Sequence, residues 1–477
     1  MKKIVFCFDG TTNALNANTP TNVVLTAASI ERKDRHGIAQ VIYYDEGVGT
    51  GKFDSSPDFF DKAISLCDKI AGGGSGWGVA ENIREAYRFL IFNYDPGDEI
   101  FIFGFSRGAF TARSFIGLIR HVGPIRRLHA AQIDNAIDLY HKRVKDEDRN
   151  SEALRKFRAD YSSDVLIDES DEEWRIQNVK GYEKGTAQLI GIKYLGMWDT
   201  VAAMGAPAAI PGTSQINSGF RFHDPSITAF IERARHAVAI DERRVLFPPV
   251  LFGDLTKLNA QAGFKLDHID APYQERWFPG VHGSVGGGGD IRGLSDGSLE
   301  WILFGAKQAG LSLDISANTR IFSLRPDPFA PLVNTTLPLT GFLDLTAYKW
   351  KNDRKGPEAI WQLSNSTLRR FKADASKLPD KVPYSPKTLE NVKAALESYQ
   401  LVSATEIIEL QDLRVVAAGD SLYKFAEQYY GDKSKFGVIF DANRDVLDDY
   451  RQIAVGTELR IPKLPAAGNQ PALPGLA

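Results

Sequence analysis

Five short apolar runs constrain the architecture more than any other feature: "KKIVFCF" (2–8), "AQVIYYD" (39–45), "DEIFIFGF" (98–105), "IKYLGMW" (192–198) and "QERWFPG" (274–280). Most are apolar almost throughout rather than at every second position. A strand with one wet face alternates, whereas a strand covered on both faces need not. Between the runs lie stretches with helical spacing, such as Ala80–Asn93 and Arg107–His121. Covered strands alternating with helices predict an α/β fold around a mostly parallel sheet. The pattern runs to about Tyr399, so one large domain is expected over residues 1–400.

Two stretches depart from it. Residues 125–186 are rich in Asp, Glu, Lys and Arg, with apolar residues at helical spacing as in "IDNAIDLYHKRV". They read as a mostly helical insertion, either a surface excursion or a cap over a site. Residues 372–390, "KADASKLPDKVPYSPKTLE", are rich in lysine and proline and either end the large domain or wrap its surface. A second compact unit is expected over 413–463, and the Pro- and Ala-rich residues 464–477 read as a disordered tail.

Charge and cysteine content exclude several function classes. The formal net charge is -3 and the pI about 6.3, so no broad basic field exists and nucleic acid is not an expected partner. Two cysteines, Cys7 and Cys67, make no disulfide framework, which fits synthesis in a reducing compartment. The N-terminal apolar run is ended by Asp9 and Gly10, too early for a secretory signal core. No uninterrupted apolar stretch is long enough to span a bilayer, so peripheral membrane contact is the most expected.

The chemistry is carried by strand ends. "FCFDGTT" (6–12) matches half of the D-x-D-G-T phosphotransferase pattern, but Cys7 stands where the nucleophilic aspartate belongs. "GVGTGKF" (47–53) lacks the first glycine and the magnesium-binding hydroxyl of a phosphate-binding loop. No Cys/His cluster has zinc-ligand spacing.

Gly104-Phe105-Ser106-Arg107-Gly108 is different. It is a G-x-S-x-G placed between an apolar strand and an amphipathic helix. A sharp strand-to-helix turn there exposes the serine at the sheet's carboxyl edge, and Gly104 and Gly108 let the backbones pack. A serine hydroxyl needs a base, and His282, on a loop after a strand and before Gly286–Gly289, is the best placed. His236 in "RARHAVAIDERR" is the alternative. The base needs a carboxylate; Asp199 follows a strand in "GIKYLGMWDTV", with Asp241 and Asp290 as alternatives. The order Ser106, Asp199, His282 is that of an α/β-hydrolase. Oxyanion stabilisation is expected from the N–H of Arg107 and from Gly10 or Thr11, with Asp9 tethering that loop. The glycine run reads as a source of loop flexibility. No cofactor and no metal is needed.

"FCFDGTTN", "ENIREAYRFLIFNYDPGDEIFIFGFSRGAFTAR", "WDTV", "HAVAIDERR", "WFPGVHGSVGGGG" and "LSDGSLEW" occur in an order that resembles a widespread family of α/β-hydrolases. That family includes the first group of type VI secretion lipase effectors. The resemblance covers most of residues 1–395. It implies a bacterial serine hydrolase with phospholipase activity, and by motif it assigns Ser106, Asp199 and His282. One position departs: where the family loop has histidine, a small residue and aspartate, this chain has His282-Gly283-Ser284. The missing carboxylate bears on histidine basicity and on how the loop is anchored.

The unit from "RVVAAGDSLYKFAEQYYGDKSKF" to "TELRIPKL" reads strand, helix, helix, strand. It resembles a LysM domain, which implies binding to peptidoglycan or another N-acetylglucosamine glycan, or service as an adaptor in a phage-tail-like machine.

The expected protein is therefore a serine esterase or lipase on an α/β-hydrolase sheet with a small βααβ LysM unit. Its substrate is a lipid ester. It is made in the bacterial cytoplasm without a signal peptide and delivered to a target-cell periplasm, with a secretion spike protein and an immunity protein as partners. Two rivals stand beside this reading: a cell-wall or polysaccharide esterase, and a non-catalytic glycan-binding or secretion-machine adaptor.

Overall fold

The computed structural model describes residues 1–10, 18–34, 36–47, 76–142, 149–201, 227–244, 247–268, 270–314, 324–335, 352–399, 410–443, 447, 450–451 and 453–462. Thr11, Cys67, most of "GVGTGKF" and the tail after 462 lie outside them.

The first domain is built on a six-stranded sheet. Its strands are β1 (Lys3–Phe8), β2 (Gln40–Asp45), β3 (Glu99–Phe105), β6 (Ile192–Trp198), β7 (Ala234–Ala239) and β8 (Tyr273–Phe278). They lie in the order β2-β1-β3-β6-β7-β8, and every pairing is parallel. A parallel sheet needs both faces covered, and alternation divides each strand between them. Ile4, Phe6 and Phe8 point into one core, with α2 (Gly76–Asn93) and α3 (Arg107–Val122). Val5, Cys7, Phe101 and Phe103 point into the other, with α1 (Asn22–Ser29) and the helix Gly293–Gln308. Cys7 is fully buried there, and burial pushes its thiol well above the ordinary range, so it packs rather than reacts.

Four of the five sequence-predicted strands match within one residue at each end, and the fifth, "QERWFPG", is realised as Tyr273–Phe278. The strand not anticipated is β7, "ARHAVA", in the sheet between β6 and β8. Arg235 and His236 hid it, because buried strands are normally apolar. Both are covered by partners from distant segments. Arg235 donates to the Trp301 carbonyl at 2.7 Å, and its guanidinium lies over the Trp301 ring. His236 Nδ1 meets Glu275 at 2.9 Å.

The insertion carries α4 (Ile133–Lys142), α5 (Glu152–Tyr161), α6 (Glu169–Asn178) and a two-residue strand pair, β4 (Val165–Leu166) with β5 (Gln188–Leu189). Its described contacts concentrate at the C-terminal end of α3. Tyr140 covers Gly117, Arg158 donates to the His121 carbonyl at 2.8 Å, and Ser162 to that of Val122 at 2.9 Å. Ser106 sits at the other end of that helix, about 20 Å away at 1.5 Å per residue. The expected cap over the serine is thus corrected for these contacts: they buttress the far end of α3. Inside the insertion, Asp171 is buried between Arg158 and Arg175 at 2.8 and 3.2 Å, so its charges are satisfied locally.

Residues 352–399 wrap the β8 edge. Leu363, Leu368, Leu378, Tyr384, Leu389 and Leu396 join Val238, Ile240 and Trp277 in a third apolar cluster. The last unit is a βααβ arrangement: β9 (Leu410–Val415) pairs antiparallel with β10 (Glu458–Pro462), with helices Leu422–Tyr430 and Phe436–Ala442 between them. Asn443 closes it: its side chain donates to the carbonyls of Ile439 and Arg460 and accepts from the Arg460 N–H. The unit rests on the helix Gly293–Gln308. Phe304 meets Phe436 edge-on, and Lys307 Nζ donates to the Tyr423 hydroxyl at 2.9 Å. Among the described residues no helix is long and apolar enough to cross a membrane.

Candidate active site

Ser106 follows β3 directly and caps α3, with φ 59° and ψ -127°. A non-glycine residue with positive φ is strained, and here the strain turns a strand into a helix within one residue. Its glycine neighbours are demanded by contact. A Cβ on Gly104 would lie 2.6 Å from the Ala109 Cα. A Cβ on Gly108 would lie 2.3 Å from the Asp9 carbonyl oxygen and 2.4 Å from that of Phe8. Both obstacles are backbone and cannot rotate aside. Gly108→Ala is expected to destabilise the protein by about 2–3 kcal/mol, the overpacking cost less a small helix-propensity gain. Urea unfolding followed by circular dichroism measures it.

The structure brings Ser106, His282 and Asp199 into one hydrogen-bonded line. Ser106 Oγ lies 2.8 Å from His282 Nε2, and His282 Nδ1 lies 2.6 Å from Asp199 Oδ2. These residues stand at the carboxyl ends of three strands: Ser106 directly after β3, Asp199 directly after β6, and His282 shortly after β8. All three are buried. With Asp199 accepting from Nδ1, Nε2 is left to accept the serine proton.

The imidazole is held on several sides. The ring packs against Phe105 and Phe247, with centroids 4.7 and 5.0 Å away. The His282 N–H donates to Glu242 Oε2 at 3.2 Å. Burial pushes the Glu242 carboxyl up, but Arg244, donating at 2.7 and 2.8 Å, pulls it below its ordinary value. Ser284 hydroxyl donates to the Leu332 carbonyl at 2.6 Å, and the Val281 N–H reaches the same oxygen at 3.0 Å. A neutral hydroxyl therefore anchors the loop at the position where the sequence resemblance led to the expectation of a carboxylate.

The glycine run does not loosen the loop, which corrects that expectation. A Cβ on Gly286 would fall 1.9 Å from the Phe105 ring, and one on Gly289 would fall 1.9 Å from the Asn334 carbonyl oxygen. Gly287 and Gly288 adopt positive φ, 84° and 91°. These glycines allow close packing and a turn.

Asp9 is buried, and its carboxylate is engaged: Oδ1 accepts from the Gly10 N–H at 2.6 Å, and Oδ2 from the Thr21 and Tyr44 hydroxyls at 2.6 and 2.8 Å. Thr21 in turn bridges to Gly287, and Asn22 donates to the Val285 carbonyl at 2.9 Å. The β1 end and the histidine loop are thereby one connected frame. Of the oxyanion candidates, Arg107 is the first residue of α3, so its N–H lies at the positive end of the helix. Gly10 N–H points at Asp9, and Thr11 lies outside the described residues.

The alternatives go elsewhere. His236 Nε2 accepts from the Thr200 N–H at 3.1 Å while Nδ1 faces Glu275, so it supports the Asp199–Thr200 turn. Asp241 accepts from the Gly280 N–H and the Tyr384 hydroxyl at 2.6 and 2.8 Å. Asp290 is exposed.

One residue had no sequence signal. Arg354 donates to Asp199 Oδ1 at 2.6 Å and Oδ2 at 3.0 Å. Burial pushes the Asp199 carboxyl up, but the Arg354 charge and His282 outweigh it and hold it far below the usual carboxylate range. Among the described residues no group of three or more His, Cys, Asp or Glu is arranged to hold a metal.

With this geometry in hand, comparison with known families is decisive. The model of the type VI secretion phospholipase effectors, "Tle1-like, catalytic domain", matches residues 2–304. The chain belongs to that family. It is also 29% identical over 254 residues to an uncharacterized protein of Saccharomyces cerevisiae, YEL023C, a match over 53% of this chain and 33% of the yeast protein. The chain thus spans about a third of that relative's length. Two solved structures match at 17% identity. One is an uncharacterized protein from Pseudomonas aeruginosa, with a TM-score of 0.34 over 95% of this chain and 64% of the other. The second is the Tle1 effector bound to the VgrG spike, with a TM-score of 0.27 over 60% of this chain and 51% of the other. At such scores no fold argument follows.

Proposed function

We propose that this member of the phospholipase effector family is a serine hydrolase that cleaves carboxylic esters of glycerophospholipids, with Ser106 as nucleophile, His282 as base and acid, and Asp199 orienting the imidazole. The observation that carries the reading is the 2.8 and 2.6 Å contacts linking Ser106, His282 and Asp199 within a chain of this family. His282 Nε2 takes the Ser106 proton as Oγ bonds to the ester carbonyl carbon. Negative charge collects on the carbonyl oxygen, beside the N-terminus of α3 and the Arg107 N–H. The carbonyl re-forms, the bond to the glycerol oxygen breaks, and that oxygen receives the proton from His282. Water, deprotonated by His282, then attacks the acyl-serine and releases the fatty acid, returning Ser106 to its hydroxyl form.

Vesicles of phosphatidylethanolamine and phosphatidylglycerol test this. Fatty acid release with one lysophospholipid per acid is expected. Release of acetate from acetylated glycan, with intact vesicle lipids, points instead to the cell-wall esterase. No hydrolysis of either, with no labelling by a fluorophosphonate probe, points to the adaptor.

The C-terminal βααβ unit is proposed to be a LysM module that holds the enzyme on peptidoglycan. Supporting this are the strand-helix-helix-strand order, the antiparallel pair and the Asn443 closure. The intact chain is expected to sediment with purified sacculi and to be displaced by N-acetylglucosamine oligomers. A chain that stays in the supernatant contradicts glycan binding. Family membership supports export through the type VI machine, with a spike protein as carrier and an immunity protein protecting the producer.

A further inference from the structure

We propose that Arg354 is a positioning residue of the catalytic centre: it fixes the Asp199 carboxylate in the orientation that meets His282. This rests on the triad reading given above. It adds a residue from beyond the family's catalytic region, which ends at residue 304.

The geometry is specific. The guanidinium takes both Asp199 oxygens in a fork, at 2.6 and 3.0 Å. The same two nitrogens donate to the backbone carbonyls of Ala239 and Phe247, each at 2.8 Å. Four directed contacts therefore fix one planar group, and that group fixes the carboxylate. Ala239 ends β7, and its own N–H donates to Asp199 Oδ1 at 2.9 Å. Asp199 itself has φ 34°, a conformation disfavoured for a residue with a Cβ, so its turn needs such restraint. Arginine suits the place because its planar fork matches a carboxylate, whereas a lysine ammonium is a single point charge.

Asp199 is fully buried and Arg354 nearly so, so the carboxylate is neutralised by the guanidinium rather than by water, and its orientation is set by that pair. Among the described residues, Glu242 is a second charged group beside the histidine; it accepts the His282 backbone N–H and is itself neutralised by Arg244. Phe105 and Phe247 flank the ring and bring no charge.

The test uses full-length protein and p-nitrophenyl butyrate, with active sites counted by a fluorophosphonate probe so that unfolded molecules do not enter the rate. In Arg354→Met kcat per active site is expected to fall about 100-fold, the order of loss when a catalytic group is misplaced. In Arg354→Lys kcat per site is expected to fall only about 10-fold, because one ammonium keeps the charge but cannot fill the fork. A purely structural role would lower the number of active sites and leave kcat per site unchanged in both variants, which overturns the proposal. If Arg354→Met does not fold, Arg354→Lys alone decides: wild-type kcat per site overturns the positioning claim. Failure of the hydrolase reading is separate, since it would leave wild-type protein inactive or Ser106→Ala active.

Discussion

Ser106→Ala is expected to abolish ester hydrolysis, by about 10⁴-fold or more, while leaving the protein folded. The variant removes one oxygen, the atom 2.8 Å from His282 Nε2. The stability change is expected within about 1 kcal/mol, since only one hydrogen bond is lost. Alanine keeps a Cβ and therefore keeps the backbone strain of φ 59°. Ser106→Gly separates strain from chemistry: it is expected to be equally inactive and more stable than Ser106→Ala by about 1 kcal/mol, because glycine tolerates positive φ. Vesicle hydrolysis, probe labelling and urea unfolding measure all three properties. Hydrolysis by Ser106→Ala within tenfold of wild type would remove the serine mechanism.

Asp199→Asn is expected to fail in two ways at once. An amide presents one oxygen. If that oxygen stays on Arg354, the NH2 faces His282 and turns the ring to the tautomer with hydrogen on Nε2, which cannot accept from Ser106. The expected loss is about 10⁴-fold in kcat. The second effect is on the fold. Arg354 is 8% exposed and loses its counter-charge. Leaving one member of a buried ion pair unpaired costs about 3–5 kcal/mol. Ser106→Ala and Asp199→Asn thus share an activity phenotype and differ in urea midpoint. An Asp199→Asn protein as stable as wild type would show that the Arg354 charge finds another partner or reaches water.

Residue order made Ser106, Asp199 and His282 legible because each sits on a local signal: Ser106 and Asp199 directly after an apolar strand, and His282 in the short loop that follows another. Strand ends on one edge of a parallel sheet converge, so three strand-end residues were candidates for one place. Local signals were silent on β7, since His236 and Arg235 read as polar until Glu275 and Trp301 arrive from elsewhere. They misled at Gly286 and Gly289, where close packing against Phe105 and Asn334 was read as looseness.

By itself, then, the chain's pattern of apolar runs and strand-end residues determined the parallel sheet and the bend at Ser106, and pointed to its two polar partners, Asp199 and His282. Those are short-range properties, set by periodicity and by which residues tolerate a tight turn. Only the tertiary structure decided that the insertion braces the far end of α3, that Ser284 anchors its loop through the Leu332 carbonyl, and that Arg354 reaches Asp199 from 155 residues away. A lone arginine in "KNDRKGPE" looks like a solvated charge. Its role exists only where burial removes water and leaves the Asp199 carboxylate and two backbone carbonyls to hold it.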